Sequence, residues 1–231
     1  MKNLAYLFLT FCFSVGFTHF LRGQQDVSIQ GLYVFADSVL GPPDVLVQGR
    51  MYPGTNTAAK GHPYLFHDDF AEASIYIKDL TFEHIPILID LEQDQVIIRY
   101  PIDGVNRYIM LAESVVDSLR YHGRCFMSHE SELHFPEIVY NGPTILLRQY
   151  EKRFIATYND ASPNGRYSRL ERRYFVVVDG ELLQIRKKKD LLELSSHPEK
   201  LRAELRSSKF RLKKATDEAW RSILMSIDHE N

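Results

Sequence analysis

Cysteine is nearly missing from this chain: among 231 residues only Cys12 and Cys125 carry a thiol. Cys12 belongs to an amino-terminal apolar run, so removal of that run would leave Cys125 alone, with no intrachain disulfide possible. A disulfide-stapled secreted scaffold is thereby excluded. Long apolar stretches are as scarce. After residue 23 none approaches the roughly 18–20 residues that span a bilayer comfortably. The chain also lacks an internal repeat of fixed period, a low-complexity tract and a Pro/Gly/Ser-rich linker that would mark a firm domain boundary. No GxSxG elbow, HxH or HExxH pattern occurs, which removes the usual sequence grounds for a serine hydrolase or a histidine-paired zinc enzyme.

What is present begins with an address. Lys2 precedes residues 4–17 (LAYLFLTFCFSVGF), an apolar run without a charge, and Arg22-Gly23 leads into the polar Gln24-Gln25-Asp26. A basic start, a short apolar middle and a small-residue exit are the layout of a secretory signal peptide. Cleavage is expected after Gly23, or alternatively after Gly16. Cys12 is preceded by Thr10 and Phe11 and makes a poor lipidation site. Loss of residues 1–23 takes away two basic residues and no acid, leaving 26 basic against 30 acidic residues. Nucleic acid is not an expected partner of an exported chain with this acidic excess. The expected location is the periplasm or the cell exterior, with no transmembrane span after cleavage.

The middle of the chain reads as β. Ala73, Ile75 and Ile77 alternate with Ser74, Tyr76 and Lys78; Ile85, Ile87, Ile89 and Leu91 with Pro86, Leu88 and Asp90; and Val96, Ile98 and Tyr100 with Gln95, Ile97 and Arg99. Period two is the mark of a pleated strand with one buried face. Asp79 and Glu92-Gln93-Asp94 break these runs at spacings that suit an antiparallel meander. Shorter strands are expected at 108–111, 114–121, 124–127 and 136–140, the last ending at the turn Asn141-Gly142-Pro143. Residues 144–158 are too long for one flat strand, so a bend near residues 148–153 is expected. Asp179-Gly180 between two apolar runs predicts a hairpin with a type I′ turn. Residues 49–60 read as a polar, irregular loop.

After Ile185 the periodicity turns helical. Ser196-His197-Pro198-Glu199 predicts a helix start with serine as cap, and Leu201 and Leu205 share one face. Thr216 is expected to cap the last helix, on which Trp220, Ile223, Leu224 and Ile227 form an apolar stripe. The fold class is therefore α+β, mainly β: an antiparallel meander arranged as an open barrel, roll or sandwich, with a C-terminal appendage of two to three helices. Residues 1–23 form the signal peptide, 24–185 the β-rich body and 186–231 the helical appendage, packed on the body as one folding unit.

Chemistry-bearing residues are harder to place. His62, His67, His122, His129 and His134, with Asp68, Asp69 and Glu130, are metal-ligand material, but their spacing does not force three or four of them to converge. The duller reading is surface or hydrogen-bonded histidines, and no metal or cofactor is assigned. Asp68-Asp69 with Glu72 offers carboxylates for acid–base work, although adjacent acids on a strand point to opposite faces. Ser114 and Ser118 lie in a β pattern. Cys125 is expected to be a buried, inert thiol. Residues 171–214 hold 13 basic against 7 acidic side chains, a patch for an anionic surface or simply a solvated face.

The carboxyl-terminal stretch RRYFVVVDGELLQIRKKKDLLELSSHPEKLRAELRSSKF, together with HPYLFHDDFAEASIYIKDLTFEHIPILIDLEQDQVIIRY, resembles a class of functionally uncharacterised secreted proteins of Bacteroidetes. The likeness spans about residues 62–229 and departs at Ala73 and Asp79-Leu80. It implies export and a β-rich body with a basic helical end, and it assigns no activity and no site residue. The expected function is that of an exported cell-envelope protein, non-enzymatic, acting through contacts with other envelope proteins or an anionic surface. The alternative is a small-ligand or lipid-binding β module, and third a hydrolase or metalloenzyme built on His62, His67, Asp69 or His129. Catalytic residues are left unassigned.

Overall fold

The computed structural model describes residues 44–47, 49–102, 104–112, 115–128 and 133–230. The expected signal peptide and residues Ser114, His129 and Glu130 lie outside them. After a single helical turn, α1 (Asp44–Val47), thirteen strands follow before the helices. Eleven of the strands form one open antiparallel sheet in the order β1-β5-β4-β3-β2-β6-β7-β8-β9-β12-β13. These are β1 (Arg50–Met51), β2 (Ala71–Ile77), β3 (Leu80–Asp90), β4 (Gln95–Ile102), β5 (Val105–Met110), β6 (Ser118–Tyr121), β7 (Arg124–Met127), β8 (Glu137–Asn141), β9 (Ile145–Glu151), β12 (Glu171–Val178) and β13 (Glu181–Ile185). The small pair β10 (Phe154–Ile155) and β11 (Arg166–Tyr167) stands apart. The sheet is two meanders, β2 to β5 and β6 onward, joined along the β2–β6 ladder.

Register shows how one face of this sheet is organised. Directly opposed residues project to the same side. Ile98 pairs with Ile87, Ala73 with Tyr121, Leu119 with Phe126, Phe126 with Glu137, Glu137 with Arg148, Arg148 with Tyr174 and Tyr174 with Ile185. Both cores therefore lie on this face. The first gathers Ile75, Ile87, Ile98, Leu119, Tyr121 and Phe126 under Leu46 and Leu65. The second presses Leu146, Tyr174, Val176 and Ile185 against Leu191, Leu201, Leu205, Trp220, Leu224 and Ile227 of the helices. The alternating isoleucines of β2, β3 and β4 are buried as the period-two pattern predicts.

The helices are α2 (Lys188–Leu192), α3 (Pro198–Ser207) and α4 (Asp217–Glu230), with a short 3₁₀ turn at Leu212–Lys214. None is long and apolar enough to cross a membrane. Thr216 accepts the Ala219 amide at 3.3 Å, as a cap should. The α3 cap is His197 instead of Ser196, because Ser195 Oγ accepts the His197 amide and folds the chain one residue later. Asp179 (φ 52°) and Gly180 (φ 81°) make the expected I′ turn. Gly142 has a different role from the one its turn composition implies. Its φ is not positive; a Cβ there would collide with the Tyr140 hydroxyl and crowd Asp228. Those two groups bond at 2.7 Å and tie α4 to the β8–β9 turn.

Between the two cores lies a buried charge cluster. Arg148 and Glu137, 2 % and 3 % exposed, bond at 3.0 Å across β8 and β9. Glu137 also receives the Tyr150 hydroxyl at 2.6 Å and Arg124 at 2.6 Å. Asp217, in the first turn of α4, binds both arginines. Arg148 also lies over the Tyr174 ring at 5.5 Å. The bend expected near residues 148–153 falls at Lys152-Arg153, past the end of β9. Arg148 itself is held in a straight ladder between Glu137 and Tyr174.

Burial works against the charge on Arg148, but the bond to Asp217 and the nearby Glu137 outweigh it and hold its pKa well above the usual value. Asp217 is the mirror case: burial opposes ionisation, and Arg148 and Arg124 overcome it and lower its pKa. Removing one partner of a buried pair costs about 3–5 kcal/mol, so Arg148→Met should lower the urea midpoint steeply. Replacing Arg148 and Glu137 together by Met and Leu should cost much less. The depressed Asp217 carboxyl contributes stability that is full above its unfolded pKa of 3.8 and is lost as pH falls through its lower folded value. The stability gap between the native chain and Asp217→Asn, measured by urea unfolding, should thus be largest near neutrality and close in strong acid.

Candidate functional site

The face opposite the two cores carries a groove of about 700 Å³. Its floor is Gln149 and Glu151 of β9, Arg173 and Phe175 of β12, and Leu182 and Gln184 of β13, which alternate with the core-facing residues of the same strands. The β3–β4 turn, with Glu92 and Asp94, and the Leu133-His134 segment close its sides. No strand pattern could place that turn above β9, since the two are some sixty residues apart in the chain.

A buried carboxylate and a half-buried lysine hold the wall. Asp90 ends β3, fully buried, and accepts the amides of Glu92 and Gln93 at 2.9 and 3.0 Å, which shapes the turn. It also accepts the Tyr52 hydroxyl at 2.6 Å. Burial and this bond raise the Tyr52 pKa far above its usual value. Lys152, at the break after β9, donates to the carbonyls of Tyr64 and His62 at 2.7 and 3.0 Å. Burial lowers its pKa. The segment through Leu65 is also stitched to β3, by Leu65 N–H to Ile89 O at 2.9 Å and Leu91 N–H to Pro63 O at 3.2 Å. Residues 49–60, expected to be an irregular loop, contribute β1, which pairs with β5, and the Tyr52 anchor.

Charge in the groove is largely neutralised in place. Glu151 binds Arg173 at 2.8 Å and Arg153 at 3.2 Å. Arg186 Nε donates to Gln184 Oε1 at 2.7 Å. His134 Nε2 stands 3.9 Å from Asp94, too far for a hydrogen bond. Gln149 is buried; its amide N–H donates to the carbonyls of His134 and Tyr150, while its side-chain oxygen has no partner among the described residues. Four cations, Lys152, Arg153, Arg173 and Arg186, meet three acids, Glu92, Asp94 and Glu151, and no hydroxyl or thiol side chain is among the described lining residues. The arrangement suits recognition of a polar, net-anionic group more than attack on one.

The histidines do not converge. His62 stacks on Tyr64 with ring centres 5.9 Å apart, and burial and then Lys152 lower its pKa. His67 meets His122 edge-on at 5.7 Å. His122 is likewise lowered, by burial, His67 and Arg124. Asp68 and Asp69 are exposed, and Glu72 pairs with His84 at 2.8 Å. Among the described residues no group of three or more His, Cys, Asp or Glu is placed to hold a metal ion. Cys125 is half-buried on β7, not fully enclosed, because it projects from the face opposite Phe126. Ser118 starts β6.

Compared with known proteins, the chain matches no family model, no curated protein and no solved structure.

Sequence reading passed over Asp90, Gln149 and Lys152. A signal existed for the first: Asp90 closes the run Ile85-Pro86-Ile87-Leu88-Ile89, and an acid at the end of so apolar a strand needs internal partners. Lys152→Met removes two charge-assisted bonds to backbone and should cost about 1.5–3 kcal/mol in thermal or urea unfolding. Limited proteolysis should then cut first within residues 52–68, where the strap loses its tie.

Proposed function

We propose that this chain is an exported cell-envelope protein that works by binding a partner through its groove and the basic surface beside it, without turnover. The observation that supports this most is the groove itself. It is roomy, open and polar; Glu151 pairs with Arg173 and Arg153, Lys152 donates to backbone carbonyls and Arg186 to Gln184, and these groups do not converge on a reacting position. The exposed Arg186, Lys187, Lys188 and Lys189 extend its positive side. Amino-terminal residues 1–23 support export into the periplasm or beyond. The experiment is expression of the tagged full chain, fractionation, and mass determination of the mature protein. A mature start at residue 24 or 17 in the periplasm or medium is expected, and cytoplasmic recovery with residues 1–23 retained would overturn export. Lysine-directed cross-linking in intact cells should trap discrete envelope proteins, and an Arg173→Glu/Arg186→Glu variant should lose those adducts.

A second reading, a small-ligand β module, draws on two observations. The groove exceeds the roughly 300 Å³ that a ligand site needs, and the Gln149 side-chain oxygen faces no donor. Its charged lining favours a polar ligand over a lipid. A thermal-shift screen of polar metabolites, with Gln149→Leu as the control, separates this reading: a shift that the control abolishes supports it, and no shift dismisses it.

A further inference from the structure

The strand β13 ends the sheet with an unprotected side. Its two-residue turn makes Val178 and Glu181 the first hydrogen-bonded pair, so the pairs Val176–Leu183 and Tyr174–Ile185 also exchange bonds. The N–H and C=O groups of Leu182 and Gln184 therefore point away from β12. Neither residue has a backbone partner on that side among the described residues. No proline, bulge or register shift blunts this edge, and Leu183 stands 41 % exposed on it. Such an edge is a template for another strand.

Hollows flank the edge on both faces. On one side lies the groove, bordered by Leu182, Gln184 and Arg186. On the other is a second depression of about 560 Å³, where Leu183, Ile185 and Leu194 offer apolar surface beside the charged Lys187, Asp190 and Glu193. Side chains of an added strand alternate between faces, so every second one would enter the groove and the others this second depression, against Leu183. The strand runs directly into Arg186, Lys187, Lys188 and Lys189, all exposed, with Asp190 turned back onto the Arg186 and Lys187 amides. Those bonds cap α2; Glu193 pairs with Lys189 at 3.3 Å, and the run of four cations still outnumbers its two neighbouring acids. We infer that the edge of β13 takes an extended segment of a partner protein as a twelfth strand, with acidic residues toward Arg186 and apolar residues toward Leu183. Main-chain bonds would supply affinity and the alternate side chains selectivity. This deepens the contact-based reading above and rests on it.

The probe is a fluorescein-labelled peptide, Val-Glu-Val-Glu-Val-Glu-Val, titrated by anisotropy against the mature chain, with Val-Lys-Val-Lys-Val-Lys-Val as comparison. The acidic peptide should bind at least about tenfold tighter than the basic one, and Arg186→Glu should reverse that order. Gln184→Pro removes an outward N–H, which an edge strand tolerates, together with the side-chain acceptor of Arg186, and should weaken binding about tenfold or more. Gln184→Ala keeps the backbone donor and should bind the acidic peptide within a few-fold of the native chain. Amide exchange at Leu182 and Gln184 should slow when peptide is added. Circular dichroism of each variant confirms that the fold is kept. Equal binding of the two peptides, full binding by Gln184→Pro, or protection at other amides would overturn the inference. If neither peptide binds at about 1 mM while cross-links to envelope proteins persist, the edge inference fails and the contact reading stands.

Discussion

Everything in this fold is arranged around a charge that cannot reach water. Arg148 lies in a central strand with one apolar core on each side, and a lone guanidinium there would be intolerable. Glu137 neutralises it from the neighbouring strand, and Asp217 does so from the first turn of the last helix. Because Asp217 belongs to α4, the helices cannot leave without exposing Trp220 and taking one of the two carboxylates from Arg148 at the same step. Docking of the helical end thus has a direction and a register that a greasy stripe alone would not give.

The same arrangement explains how much could be read from the chain. Strands β2, β3 and β4 were legible from apolar residues at period two, even though β3 and β4 also bury the off-phase Leu88 and Ile97; β12 and β13 were legible as apolar runs flanking the Asp-Gly turn, whose φ angles only a few residues tolerate. The apolar stripe of α4 was legible as a face needing cover. The groove was not. Its walls come from the β3–β4 turn, the Leu133-His134 segment and the break after β9, brought together by strand pairing and backbone bonds that leave no periodic trace. Arg148 lies inside the apolar run from Ile145 to Tyr150, where a charged residue looks like a place for a bend. The structure answers with a partner instead of a bend, since Glu137 stands directly across the ladder. The histidines, abundant in the sequence, were read as scattered, and the described ones are spread over ring stacks and ion pairs.

Rigidity of the groove follows from the wall bonds. Asp90 fixes its turn through two amides and a tyrosine, and Lys152 clamps the strap by two carbonyls. The floor is continuous sheet. A groove so braced would meet a ligand with little rearrangement, which would limit the entropy lost on binding.

The β2–β6 ladder pairs residues 73–76 with residues 118–121 and is where the two meanders become one sheet. Hairpins on either side can zip from their own turns, with short loops to close. This ladder cannot, because β3, β4 and β5 must be threaded out and back before β6 reaches its neighbour. Loop-closure entropy makes such non-local contacts late and slow to form. Until they do, both inner edges are bare strands, so the half-built protein carries more template-like edge than the finished one. The vulnerable interval in the folding of this chain is the wait for residue 118 to find residue 76.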